Sequence, residues 1–300
     1  MRFPALALTA IITVSCALAA ALFSPAVAAD AKIFANPQLQ QQMPTAFALQ
    51  PQARGFLQPA FRQTVEQGDA LVAAIREDKE LAEAIARWPS LTMEQQIPYL
   101  KRVFTLEVAV MGVKAPKLLI DDHSFPGRMV YFDFDPQNPS TGTVYLNPKM
   151  LAERPKYESL AFLIHETRHS FQFQHAFSDA SDMQDAVNSG YAAAFKAQKN
   201  LKGFSFSDFL TLLNEYEAFL FGNYVLGKLT NWQLDMPDMG TFASQFDQHG
   251  KLKIDLIALA AEDSDRSLLE RYNELAQAQY ALRSQKSSGS KDSEKDNKGD

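Results

Sequence analysis

A single cysteine occurs in 300 residues, and Cys16 lies inside the apolar stretch at the N-terminus, so no internal disulfide can form and stability has to come from packing. A surplus of positive charge is also missing. The 29 Lys and Arg are outnumbered by 35 Asp and Glu, giving a net charge of −6 without a basic patch, which argues against nucleic acid as a partner. Long apolar runs are absent beyond the N-terminus. The nearest approach, Phe209 to Leu226, is interrupted by Asn214, Glu215, Glu217 and Asn223 and reads as a buried helix, with no membrane span in the mature chain. There is no internal repeat, and from Ser284 onward only polar residues and glycine remain, too polar to bury anything and expected to be disordered.

The apolar stretch itself follows Arg2, runs from Phe3 to Phe23, and leads into Ser24-Pro25-Ala26-Val27-Ala28-Ala29. Small residues before Asp30, separated from the apolar core by a helix-breaking proline, match a secretory signal peptide cleaved after Ala28 or Ala29. An uncleaved anchor is the alternative, since the run is just long enough to span. Thr13-Val14-Ser15-Cys16 is a poor lipoprotein site because the apolar region continues past the cysteine. Cleavage removes the cysteine and takes the net charge from −6 to −7, as Arg2 is the only charged residue lost. The mature protein is then expected to be periplasmic or secreted.

Residues 30–58, rich in Gln, Pro and Ala, read as an irregular lead-in. Phe61 to Trp88 has helical apolar spacing stopped by Pro89, and Ser90 or Thr92 can cap a second helix that ends at Gly112. The period then shortens. Lys117–Asp121, Arg128–Phe134 and Thr143–Leu146 are β-rich runs, predicting a small, mainly antiparallel sheet. Asn147-Pro148 caps a short helix, Pro155 opens the next, Ser181-Asp182-Met183-Gln184 offers a capping box, and a last strong helix spans Ser207 to Lys228. The fold class expected is α+β, with a signal peptide over 1–29, a lead-in and helical region over 30–115, a catalytic domain over 116–283 and a polar tail over 284–300.

Within the helix after Pro155 stands His165-Glu166-Thr167-Arg168-His169, an HExxH sequence. Residues four apart on a helix share a face, so both imidazoles can converge on one Zn²⁺, and Glu166 beside them can act as general base toward a water at that ion. Leu160, Leu163, Ile164, Thr167 and Phe171 supply a buried helical stripe alongside. The competing reading is two core histidines satisfied by hydrogen bonds, with Glu166 in a salt bridge.

A catalytic zinc takes three protein ligands, so a third is needed. Glu217 sits in the very apolar helix downstream, where an unpaired carboxylate is costly to ionise and a metal would hold it charged. Ala218 is small enough to let the two helices approach closely. Glu215, on another face, would then be a supporting group meeting Arg168 or an imidazole N–H. His175 has the spacing of the third histidine in HExxHxxGxxH, but Gln172 replaces the glycine that turns the chain there. His123 and His249 lie in loop-like surface sequence. Tyr191, Tyr216, Tyr224 and His175 are the candidates for donating to an oxyanion.

Thr143-Val144-Tyr145-Leu146-Asn147-Pro148, the segment Leu160 to His169, and Glu215-Tyr216-Glu217-Ala218 together resemble the minimal zincin core of small gluzincin-type metallopeptidases. They are also similar to bacterial metallopeptidase-like domains of unknown function. The resemblance covers about residues 116 to 230. It implies a sheet whose edge strand runs beside the cleft, an HExxH helix and a following helix that gives a glutamate ligand. On that pattern His165, His169 and Glu217 bind zinc and Glu166 is the base. A second acid one turn after the ligand glutamate, common in thermolysin-like enzymes, is missing, as Phe221 stands there. The expectation is an exported zinc metallopeptidase acting on a peptide or protein. Its rivals are a non-catalytic envelope binding or assembly protein and a zinc amidase for cell-wall peptide.

Overall fold

The computed structural model describes residues 33–177, 185–234 and 245–280. The expected signal peptide, the capping box at 181–184 and the polar tail lie outside them. No helix among the described residues is long and apolar enough to cross a membrane.

The chain opens with a short helix, α1 (Pro37–Gln40), capped by Asn36, and then the long α2 (Arg54–Glu77). Phe56, Leu57, Ala60, Thr64, Gly68, Leu71, Val72 and Ile75 make the buried stripe of α2 at helical spacing. The single helix expected to reach Trp88 is interrupted at Asp78. Its backbone is extended, and its carboxylate accepts from the Leu81 N–H to cap α3 (Lys79–Ala86). Trp88 is fully buried, and its indole donates to the Lys156 carbonyl at 3.0 Å and Ser159 Oγ at 3.2 Å, pinning this region to the loop and helix that follow the sheet. Helix α4 (Met93–Met111) has the expected boundaries, with a capping box between Thr92 and Gln95 and a left-handed Gly112 (φ 65°) closing it.

Strands β1 (Lys117–Ile120), β2 (Val130–Asp133) and β3 (Thr143–Leu146) form a three-stranded sheet in the order β1-β3-β2. β3 runs parallel to β1 (Lys117 opposite Thr143) and antiparallel to β2 (Val130 opposite Leu146). The sheet is therefore mixed, not mainly antiparallel. Side-chain alternation in four-residue strands assigns faces but not neighbours, and it is the last strand that inserts between the first two. β2 is an edge strand.

Asn147 caps α5 (Pro148–Ala152) as expected, and α6 (Glu158–Phe177) follows, three residues after Pro155. Then come α7 (Ala186–Asn200), capped by Asp185, and α8 (Phe206–Leu210), with a Ser205/Asp208 capping box. α9 (Leu213–Leu229), α10 (Leu256–Ala261) and a helix over 268–280 complete the described chain. The helix expected over 207–228 is thus two. Leu212 is extended and forms a β-bridge with Phe47, while the Ala48 N–H donates to the Thr211 carbonyl at 2.7 Å. A contact from the lead-in breaks the helix.

α6 is the centre of the molecule. It packs on β2 and β3 and is surrounded by α4, α7 and α9, while α2 covers α9. α6 and α9 come close at Gly222, where a Cβ would stand 3.6 Å from the Ala161 oxygen and 3.9 Å from the His165 Cβ, and Ala218 is fully buried. One continuous apolar core runs from Ala35 to Ala276, so the helical region before 116 and the region after it share it.

Candidate metal centre

α6 is buried along most of its length, including Glu158 to Leu163 apart from Phe162, and Ile164 through Phe173. His165 and His169 are buried and cannot face solvent, so they must face partners. The i, i+4 spacing puts the His165 and His169 Nε2 atoms 3.0 Å apart. Glu215, in the first turn of α9, places Oε2 3.3 Å from the His165 Nε2 and 3.4 Å from the His169 Nε2. Phe219, one turn further along α9, sets its ring 4.3 Å from that of His165, and Phe132 of β2 lies 5.9 Å from His169.

These three atoms satisfy a definite geometric test. A tetrahedral zinc with bonds of about 2.0–2.1 Å separates its ligand atoms by about 3.3–3.4 Å. Separations of 3.0, 3.3 and 3.4 Å, from two imidazoles and a carboxylate, are close to one face of that tetrahedron. The buried group His165, His169 and Glu215 can hold a metal ion.

Glu217 is placed elsewhere. Its carboxylate accepts from Arg168 Nε at 3.1 and 3.0 Å, Arg168 Nη2 at 2.7 Å, Thr64 Oγ1 at 2.6 Å and Gln172 Nε2 at 2.7 Å. Both Glu217 and Arg168 are fully buried. The place beside the two histidines expected for Glu217 is therefore taken by Glu215, two residues earlier. A buried carboxylate here does need a cation, and the cation is Arg168, whose guanidinium also contacts Gln67 and lies between the rings of Phe171 (4.1 Å) and Phe221 (4.3 Å). His175 is not in the group: it is half-buried against the Phe171 ring at 4.3 Å. His123 and His249 are exposed, as expected.

Charge in the site is strongly organised. Burial disfavours ionisation of Glu215, but the two histidines outweigh it and hold the carboxyl at about 2. Burial likewise opposes a charge on His169, yet Glu215, with Glu166 and Gln172, raises it to about 9. His165 is lowered, by burial and by His169. Beside an ionised Glu215 the group thus favours one positive charge, held on His169. Glu166, 7 % exposed, is pushed up to about 8 by burial, with His169 opposing and Glu215 reinforcing the shift.

None of the tyrosines considered from sequence is directed to this group. Tyr191 is turned to the Arg168–Glu217 pair, Tyr216 lies near Asp255 and Tyr272, and the Tyr224 hydroxyl donates to Asp69 at 2.9 Å. Sequence reasoning did not consider Tyr131 on the edge strand β2, whose hydroxyl donates to Asp133 at 3.2 Å and which burial and Asp133 push up to about 12. It also missed Gln198 of α7, whose Nε2 donates to Glu215 Oε1 at 2.6 Å. A residue that reaches the site from a separate helix leaves no local spacing signal. Protein-family models, curated proteins and solved structures return no match to the chain, so the functional reading rests on the site itself.

Proposed function

We propose that the chain is an exported zinc-dependent metallopeptidase of gluzincin type, with His165, His169 and Glu215 as the metal ligands. One observation carries this reading: two imidazole nitrogens and a carboxylate oxygen mutually separated by 3.0, 3.3 and 3.4 Å, drawn from an HExxH helix and the helix crossing it. A zinc ion held there supplies Lewis acidity, bringing the pKa of its water to around 7 and polarising a carbonyl. Glu166, between the ligands in sequence, takes the proton from the attacking water and passes it to the leaving amine. Its buried surroundings suit that role, since a carboxyl raised toward neutral pH both accepts and returns a proton near pH 7. The aromatic rings of Phe132 and Phe219 keep bulk water from the ligand histidines. A zinc amidase acting on cell-wall peptide would use the same residues and differ only in substrate.

Elemental analysis of the purified mature protein tests the reading. About one zinc per chain, removed by a chelator and lost in His165→Ala and His169→Ala, is expected. A folded protein without metal that takes up none on titration would instead favour a non-catalytic binding or assembly protein, in which the mutual satisfaction of Glu215 and His169 is purely structural.

A further inference from the structure

Behind the three ligand atoms lies a second layer of hydrogen bonds made almost entirely by amides. The Gln172 Nε2 is 2.9 Å from the Asn214 carbonyl oxygen and 2.7 Å from the Glu217 Oε2. Two acceptors use both N–H bonds of that amide, so its orientation is forced, because a flip would set oxygen against a carbonyl and a carboxylate. The Gln172 Oε1 must then be the atom that faces the His169 Nδ1, at 2.8 Å. An amide oxygen only accepts, hence the His169 Nδ1 bears a proton, and Nε2, which faces Glu215, is the nitrogen that can give up its own proton to bind a metal.

A mirror arrangement holds Glu215. The Asn214 Nδ2 donates to the Gln198 Oε1 at 2.9 Å, and this turns the Gln198 Nε2 to the Glu215 Oε1 at 2.6 Å. One carboxylate oxygen is thus occupied, and the other, Oε2, is the atom nearest both histidines. Asn214 joins the two halves, through its carbonyl to Gln172 and through its side chain to Gln198.

We propose that Gln172, Asn214 and Gln198 form an amide clasp that sets the metal-facing atom of His169 and of Glu215 before any ion arrives, making Gln172 and Gln198 positioning residues for metal affinity. The inference rests on the metal reading above and adds to it the polarity of both ligands. It uses neutral amides where a carboxylate commonly braces a zinc histidine, so the braces add no negative charge to the site.

The test compares Gln172→Met and Gln198→Met, which keep chain length and remove the amide, with Thr64→Val as a control. Thr64→Val deletes another hydrogen bond to the Glu217 carboxylate but none in the clasp. Zinc affinity is measured by chelator competition, and the imidazole N–H of His169 is followed by ¹⁵N-histidine NMR. Each glutamine variant should bind zinc about 10- to 100-fold more weakly than the parent, with Thr64→Val unchanged. The parent should show a slowly exchanging Nδ1–H of His169 that is lost in Gln172→Met and kept in Gln198→Met, a pattern that general loosening of the core does not produce. An Nδ1–H equally protected in the Gln172→Met protein, or glutamine variants that bind zinc as tightly as the parent, would overturn the clasp. A parent that binds no zinc at all would remove the metal reading, while the NMR comparison still decides whether Gln172 orients His169. Should Gln172→Met fail to fold, the half-buried Gln198→Met still decides the clasp through zinc affinity.

Discussion

Glu217→Ala separates a ligand from a structural ion. In the native protein the fully buried Arg168 guanidinium donates three contacts to Glu217, at 3.1, 3.0 and 2.7 Å, and truncation leaves Nε and Nη2 without those acceptors. Removing one partner of a buried pair typically costs about 3–5 kcal/mol, because the remaining charge is desolvated and unpaired. Glu107 moderates this. It is also fully buried and feels Arg168, so it can ionise in the variant and supply part of the lost countercharge, which favours the lower half of that range. For a chain of this size a loss of about 3–4 kcal/mol lowers the melting temperature by roughly 6–16 °C. The assay is thermal or urea unfolding of the chelator-treated protein at pH 7, so that bound metal does not contribute, followed by zinc titration of the folded variant. Zinc affinity should fall by less than about tenfold, since Gln172 keeps its bond to the Asn214 carbonyl, whereas Glu215→Ala should lose well over about 100-fold as a direct ligand. The sign with pH follows from the lowered Glu217 carboxyl. The pair stabilises above the ordinary value of 4.5 and its contribution is lost as pH falls through the lower folded value. A Glu217→Ala protein as stable as the parent but unable to bind zinc would refute the assignment and return the third-ligand role to Glu217.

Glu166→Gln should keep fold and zinc content yet lose about 10²-fold or more in rate on any cleaved peptide, as expected for a positioned acid/base; full activity would remove Glu166 from the mechanism. Zinc binding must displace the proton that His169 holds up to about 9, so apparent affinity should rise about tenfold per pH unit between pH 7 and 9, and a flat calorimetric profile there would contradict the pairing of His169 with Glu215. Among the described residues neither oxygen of the buried Glu107 has a hydrogen-bond partner, and burial pushes its carboxyl well above 4.5 despite Arg168. A raised folded value makes its contribution fall as pH climbs from about 4.5 toward that value, so Glu107→Gln should be more stable than the parent at pH 8 and gain little at pH 4; equal unfolding midpoints at pH 8 would count against it.

What the sequence discloses and what it hides divide along the range of the interaction. The HExxH helix, the Thr92–Gln95 capping box and the Asn147 cap are written within four residues and stand as expected. The mixed strand order, the break at Thr211–Leu212 imposed by Phe47 and the partner of Glu217 all depend on segments far apart in the chain. That Glu215 and not Glu217 stands beside the histidines has a specific cause. α9 is buried at almost every position from Leu213 to Gly227, so no polar face marks which side meets α6, and the two glutamates cannot be told apart by pattern. A buried carboxylate on α9 requires a cationic partner, and α6 offers two, Arg168 for Glu217 and the His165–His169 pair for Glu215. Gln172 shows where more could have been read. Its presence in place of glycine argues against a histidine-turn metal site, and its position three residues after His169 puts it on the same helical face, within reach of that ring. The brace on His169 was therefore accessible from spacing alone, whereas the brace on Glu215, which comes from Gln198 on another helix, required the fold.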